Sequence, residues 1–143
     1  MIGCILTGHG SFASGIAGSL EMIAGSQDYL EIVEFEGKNQ KAFENQLSHV
    51  LDKLSKTCDG IIVASDLLGG TPYKTAMICT SEISNVEVIS GVNLPFMMEM
   101  IGLRYANLNL EQIIQRSLIV GQSGIIHAQL EVREDVQETL EGI

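Results

Sequence analysis

A histidine stands between two glycines near the start of the chain, in Gly8-His9-Gly10-Ser11. A short apolar run, Ile2 to Thr7, precedes it, and Phe12, Ile16, Leu20 and Ile23 follow at helical spacing. His9 is therefore expected at a strand-to-helix junction. Gly8 and Gly10 leave the imidazole exposed and let another group come close to the backbone. The first amides of the helix, from Gly10 to Phe12, are unpaired donors at the positive end of its dipole, which suits an anion. Asp66 follows a second apolar run, Ile61 to Ser65, and leads into Gly69-Gly70-Thr71-Pro72. A carboxylate that accepts Nδ1–H fixes the imidazole tautomer, frees the Nε2 lone pair as nucleophile and stabilises positive charge on the ring. Thr71 reads as the N-cap of another helix and Pro72 as its first residue, so Gly69, Gly70 and Thr71 supply a second set of amides and a hydroxyl. The residues describe a nucleophilic His9, an orienting Asp66 and two anion cradles, one at Gly10 and Ser11 and one at Gly69, Gly70 and Thr71. A phosphoryl group carried on His9 uses every part.

For these parts to meet, the chain must bring two distant loops together, and its periodicity does so. Apolar runs at 2–7, 29–35, 61–65 and 86–90 read as strands. Between them lie helical stripes: Phe12 to Ile23; Phe43, Leu47, Val50, Leu51 and Leu54; and a helix from Thr71 to about Ile83 with Ala76, Cys79 and Ile83 inward. Two more helices follow, one opened by Pro95 and one marked by Leu110, Ile113, Ile114 and Leu118. This alternation gives an α/β fold with a doubly wound, mainly parallel sheet of order 2-1-3-4 and helices on both faces. The first and third strands lie side by side at the switch point, where ligands bind beyond the carboxyl ends. The Pro95 helix is apolar on nearly every side, through Phe96, Met97, Met98, Met100, Ile101 and Leu103, and is expected to pack against a second subunit. Ile126, Ala128, Leu130 and Val132 alternate with polar residues and read as an edge strand in need of a partner.

Composition narrows the function. A chain of 143 residues reads as one domain, with a core over 1–130 and a frayed acidic tail from about 134. Eight Lys and Arg against eighteen Asp and Glu give a net charge of −10, which argues against nucleic acid and anionic lipid as partners. There is no charged n-region at the start and no apolar run near the roughly 18 residues of a membrane span. Cys4, Cys58 and Cys79 form no C-x-x-C pair, so reduced thiols in a cytoplasm are expected. His9, His49 and His127 show no metal-ligand spacing, and neither a metal nor a cofactor is called for. Plainer readings stand beside the phosphoryl one: a loop histidine is commonly just solvated, and an aspartate at a strand end is commonly a turn or cap residue. A rival motif also stands. Gly8-His9-Gly10-Ser11-Phe12-Ala13 matches G-x-G-x-x-A, with Glu34 and Glu36 near the end of the next strand, and would suit a small nucleotide-binding module. It leaves Asp66 and the Gly-Gly-Thr-Pro loop without a role.

Three motifs in order carry a family resemblance: Gly8-His9-Gly10, Asp66-Leu67-Leu68-Gly69-Gly70-Thr71-Pro72 and Gly91-Val92-Asn93-Leu94-Pro95. Over about residues 1 to 130 the chain resembles the IIA component of the mannose-family, phosphoenolpyruvate-dependent sugar phosphotransferase system. The resemblance implies a phosphotransferase working through a phosphohistidine. His9 would accept a phosphoryl group from the histidine-containing phosphocarrier protein and pass it to the IIB component. IIB in turn phosphorylates sugar imported through the membrane components IIC and IID. Asp66 would be the hydrogen-bonded partner of His9, and Thr71 with the Gly69-Gly70 backbone would hold the phosphoryl oxygens. The resemblance also implies a homodimer that exchanges an antiparallel C-terminal edge strand. Relatives often carry a hydroxyl residue at position 67 and an aromatic one at 68; Leu67 and Leu68 remove a possible phosphate contact and change the rim seen by partners. A chain ending at Ile143 is expected to be a freestanding IIA. The related subunit that feeds dihydroxyacetone kinase is an alternative, against which the second and third motifs speak. The residues name no sugar and give Asn93 no role.

Overall fold

The structure, a computed structural model, describes residues 1–130. Strand β1 (Ile2–His9) is buried from Ile2 to Gly8 and only His9 emerges. A strand covered on both faces reads as a continuous apolar run, as this one does. There follow α1 (Phe12–Ala24), β2 (Leu30–Phe35), α2 (Gln40–Ser55), β3 (Gly60–Ala64), α3 (Thr71–Thr80), β4 (Val86–Ile89), α4 (Leu94–Leu103) and α5 (Leu110–Ser123). All three strand pairs are parallel and the order is β2-β1-β3-β4, as the alternation predicts. In register, His9 lies opposite Phe35 of β2, whereas β3 has already ended at Ala64, opposite Leu6. The carboxyl end of β1 therefore projects beyond its neighbour, and this projection carries the histidine.

The sheet splits the core in two. Cys4, Leu6, Ile62 and Ala64 face Ala13 and Leu20 of α1, Met97 and Met100 of α4 and Ile113 of α5. Ile5, Val33, Phe35, Ile61 and Val63 face Phe43, Leu47, Leu51 and Leu54 of α2 and Ala76 of α3. This arrangement corrects one expectation. The apolar α4 needs no second subunit to cover it, because Met97 and Met100 are wholly buried and Phe96 and Ile101 nearly so among α1, α5 and the sheet. A helix covered on several sides is apolar on several sides.

The ends differ from the sequence expectation in two places. α3 stops at Thr80, where the Thr80 hydroxyl donates to the Ala76 carbonyl, three residues before Ile83. No C-terminal antiparallel edge strand is seen among the described residues. Residues 125–130 form neither helix nor strand, and the remainder of the alternating run lies outside the described residues. Residues 125–130 pair with no described strand, although Ile125 lines a small cavity together with Ile89 at the end of β4. At the amino end of the sheet, Arg104 is buried after α4 and donates to the carbonyls of Ile2 (3.2 Å) and Asp28 (2.9 Å) and to Gln27 Oε1 (3.3 Å). Among the described residues no helix is long and apolar enough to cross a membrane.

Candidate functional site

Asp66 sits two residues past β3, beside the projecting end of β1. One of its oxygens, Oδ2, accepts two bonds from the same residue: the His9 amide at 2.9 Å and the His9 Nδ1 at 2.8 Å. A carboxylate partner places the ring proton on Nδ1 and leaves Nε2 as the bare nitrogen. The His9 side chain is 46% exposed and that of Asp66 13%, so the nucleophile faces solvent and its support does not. Burial pushes the Asp66 carboxyl up, but the hydrogen bonds from the His9 amide and ring, with the ring's charge, outweigh it and hold the group below the ordinary carboxylate range. The other oxygen, Oδ1, is buried with no partner among the described residues.

Packing fixes the ring from its remaining sides. The imidazole meets Phe35 edge-on at 6.0 Å between centroids, and Phe35 leans on Phe43 at 5.3 Å. A Cβ on Gly70 would come 2.7 Å from His9 Cε1, and one on Gly8 would come 2.8 Å from Phe12 Cδ1 and 3.0 Å from Asp66 Cγ. These two glycines are there because His9 and Asp66 occupy the space a side chain would need. Gly10 (φ +57°) and Gly69 (φ +81°) adopt the left-handed backbone that turns each loop into its helix.

The anion cradles differ in detail from the expectation. The Gly10 amide is not free: it donates to the Phe35 carbonyl at 2.8 Å, because β1 still pairs with β2 there. Ser11 caps α1 without a side-chain bond, and the amides left without a helical partner are those of Phe12, Ala13 and Ser14. On the second loop the Gly70 amide donates to the Leu67 carbonyl at 3.1 Å. Gly70, in extended backbone, is the N-cap of α3; Thr71 is its first residue rather than its cap, and Pro72 its second. The amides of Thr71 and Tyr73 are the ones left open, since Lys74 already bonds back to Gly70. Leu67 and Leu68 stand exposed on the rim.

His9, Asp66, Gly69, Gly70 and Thr71 thus come together at two neighbouring strand ends, and Gly10 and Ser11 follow His9 into α1. His49 and His127 are exposed elsewhere, and no cluster suited to a metal occurs among the described residues. The nucleotide reading loses ground: Glu34 accepts from the Ser14 hydroxyl at 3.2 Å, and the Gly10 amide that a diphosphate would need is occupied. Sequence reasoning missed Phe35, whose contact with His9 follows from register alone. It also left Asn93 without a role. Asn93 caps α4 by accepting from the Phe96 amide at 3.0 Å and donates to the Gly121 carbonyl at 2.9 Å.

With this geometry in hand, likeness to known proteins is informative. A family model, EIIA-man, described as "PTS system fructose IIA component", matches residues 3–118. The Bacillus subtilis protein "PTS system fructose-specific EIIA component" is 30% identical over 105 residues, 73% of this chain and 71% of that protein. The Escherichia coli (strain K12) "PTS system mannose-specific EIIAB component" is 26% identical over 125 residues, 87% of this chain but 38% of that longer protein. Among solved structures, the phosphotransferase system component EIIA from Streptococcus agalactiae superposes with a TM-score of 0.76 at 31% identity, covering 88% of this chain and 96% of that one. The mannose/sorbose specific IIA subunit from Enterococcus faecalis gives 0.80 at 24% identity, covering 92% and 97%, a likeness of fold. The chain belongs to the EIIA-man family of the phosphotransferase system and is a IIA phosphoryl carrier in sugar uptake, a component that works between a phosphocarrier protein and a IIB component.

Proposed function

We propose that His9 carries the phosphoryl group on Nε2 and that Asp66 holds the ring for transfer. The observation that supports this most is the double bond-holding at Asp66 Oδ2, which takes both the amide and the Nδ1 of His9 and leaves Nε2 outward. In the first transfer the Nε2 lone pair attacks the phosphorus of a donor phosphohistidine. The donor N–P bond breaks as the new one forms, and the donor nitrogen keeps the electron pair. The ring gains positive charge, which the ionised Asp66 offsets across 2.8 Å. The second transfer to IIB is the same displacement with His9 as leaving group. The amides of Phe12, Ala13 and Thr71 and the hydroxyls of Ser11 and Thr71 face the phosphoryl oxygens in this reading. Gly10, Gly69 and Gly70 shape the cradle.

Incubation with phosphoenolpyruvate, enzyme I and the phosphocarrier should label the protein with one acid-labile, base-stable phosphoryl group. His9→Ala should take up none; uptake of one group by that variant overturns the assignment. Fructose and mannose are named for the relatives, and this reading assigns neither here, since IIA passes phosphate to IIB and does not meet the sugar moved by IIC and IID. We further propose that the chain acts as one IIA unit in the cytoplasm, where its donor works, and that it pairs as a homodimer by exchange of the 126–132 segment. The exposure of Ile125, Ile126 and Leu130, and the place of β4 at the edge of the sheet among the described strands, support the pairing. Sedimentation of a chain ended after Gly124 should give a monomer.

A further inference from the structure

Asp66 lies beyond the last residue of β3, so the sheet ladder does not fix it, and the third sequence motif supplies what the ladder lacks. Ser65, wholly buried, donates its amide and its hydroxyl to the Ile89 carbonyl at 2.8 and 3.2 Å. Its own carbonyl, on the peptide whose nitrogen belongs to Asp66, accepts from the Val92 amide at 3.2 Å. Val92 is in turn held by its neighbour Asn93, which grips two helices at once. Oδ1 caps α4 at the Phe96 amide, while Nδ2 donates to the Gly121 carbonyl in the last turn of α5. The grip is close, for a Cβ on Gly121 would come 2.9 Å from Phe96 Cβ and 3.3 Å from Asn93 Oδ1. A cap alone is served by Ser, Thr, Asp or Asn; only asparagine among them adds an N–H donor at that reach.

We propose that Asn93 is a positioning residue for phosphoryl transfer: its bond to Gly121 anchors the β4–α4 loop, which through Val92 and Ser65 sets where Asp66 meets His9. The proposal rests on the reading of His9 and Asp66 given above. Two variants separate this role from capping. Asn93→Ser keeps a cap oxygen but is too short to reach Gly121, and Asn93→Asp keeps the reach but has no proton to give. Both are compared with wild type in three measurements: the rate of phosphoryl uptake from the phosphocarrier, the melting temperature, and the nitrogen-15 signals of the His9 ring, which report the share of rings with the proton on Nδ1. Uptake should slow by about fivefold, the factor that one ordinary hydrogen bond represents. The Nδ1–H share should fall, and uptake should still end at one group per chain. Wild-type rate and wild-type ring signals in both variants would overturn the proposal, whatever the melting temperature, and leave Asn93 as a helix cap. If wild type itself takes no phosphoryl group on His9, it is the reading of the site that fails rather than this coupling.

Discussion

Replacing Gly70 by alanine tests the contact on which the ring's placement depends. Gly70 has φ −71° and ψ 164°, a backbone that alanine adopts without strain. The added methyl would, however, stand 2.7 Å from His9 Cε1, about 0.7 Å inside the 3.4 Å at which ordinary contact begins. The Leu67 carbonyl at 3.3 Å blocks retreat on the loop side, so the imidazole is what yields. A ring displaced by that amount stretches the 2.8 Å bond from Nδ1 to Asp66 to roughly 3.5 Å, where no useful hydrogen bond remains. A bond to a charged group contributes about 1.5–3 kcal/mol, so transfer should slow roughly tenfold to a hundredfold. Stability should fall by no more than that one bond contributes, about 1.5–3 kcal/mol, because the backbone terms cancel. Removing a glycine from the unfolded chain gains about 0.4–1 kcal/mol, and exchanging a glycine cap for alanine loses a similar amount. The assay is rapid-quench phosphoryl transfer from the phosphocarrier, run beside urea unfolding. Wild-type transfer by Gly70→Ala would refute the argument, as would a loss of stability well beyond about 3 kcal/mol, which would mean the whole loop had rearranged.

Three further outcomes follow from the same geometry. The Asp66 carboxyl is held below its ordinary range, so it contributes stability that is present in full above the ordinary carboxylate range and is lost as pH falls through the lowered folded value. Asp66→Asn should therefore be less stable than wild type at neutral pH and converge with it in acid; parallel stability curves down to pH 2.5 would sink the assignment. Arg104→Met removes three bonds and strands the Ile2 and Asp28 carbonyls, and should lower stability by roughly 3 kcal/mol in denaturant titration without touching phosphoryl uptake. A shift under about 1 kcal/mol would mean water takes over those carbonyls. Burial pushes the Cys4 thiol up to about 12, so iodoacetamide at pH 8 should label Cys58 and Cys79 in the native protein before Cys4; early labelling of Cys4 would contradict its burial.

Much of this architecture can be read from residue order. β1 and β3 are buried on both faces and therefore appear as unbroken apolar runs, and helical spacing marks α2 and α5 as plainly. His9 and Asp66 are legible because both follow strands that the alternation places side by side. Other features depend on register and on distance, which spacing does not encode. That the Gly10 amide is already engaged follows from the pairing of His9 with Phe35, two residues beyond the end of the apolar run at Thr7. Thr71 moves from cap to first helical residue because Gly70 takes up the extended backbone of the cap. The apolar α4 carries no mark distinguishing burial within the chain from burial against another. Arg104 reads as an ordinary charged residue, and only three converging acceptors explain its burial. Asn93 has no role legible in residue order, because one of its bonds crosses 28 residues of sequence to Gly121.

The single oxygen of Asp66 that takes both the amide and the ring of His9 closes a loop of atoms through one residue. The imidazole cannot swing without pulling on its own main chain, so the nucleophile has one bearing rather than a range of them. A relay must present the same nitrogen to two visitors of different shape, one delivering and one collecting. With the receiving end fixed, adaptation falls to the visitors, which need share only a line of approach to Nε2. The exposed rim at Leu67 and Leu68 is then free to drift with whichever pair of partners a lineage employs, while the transfer geometry behind it stays constant.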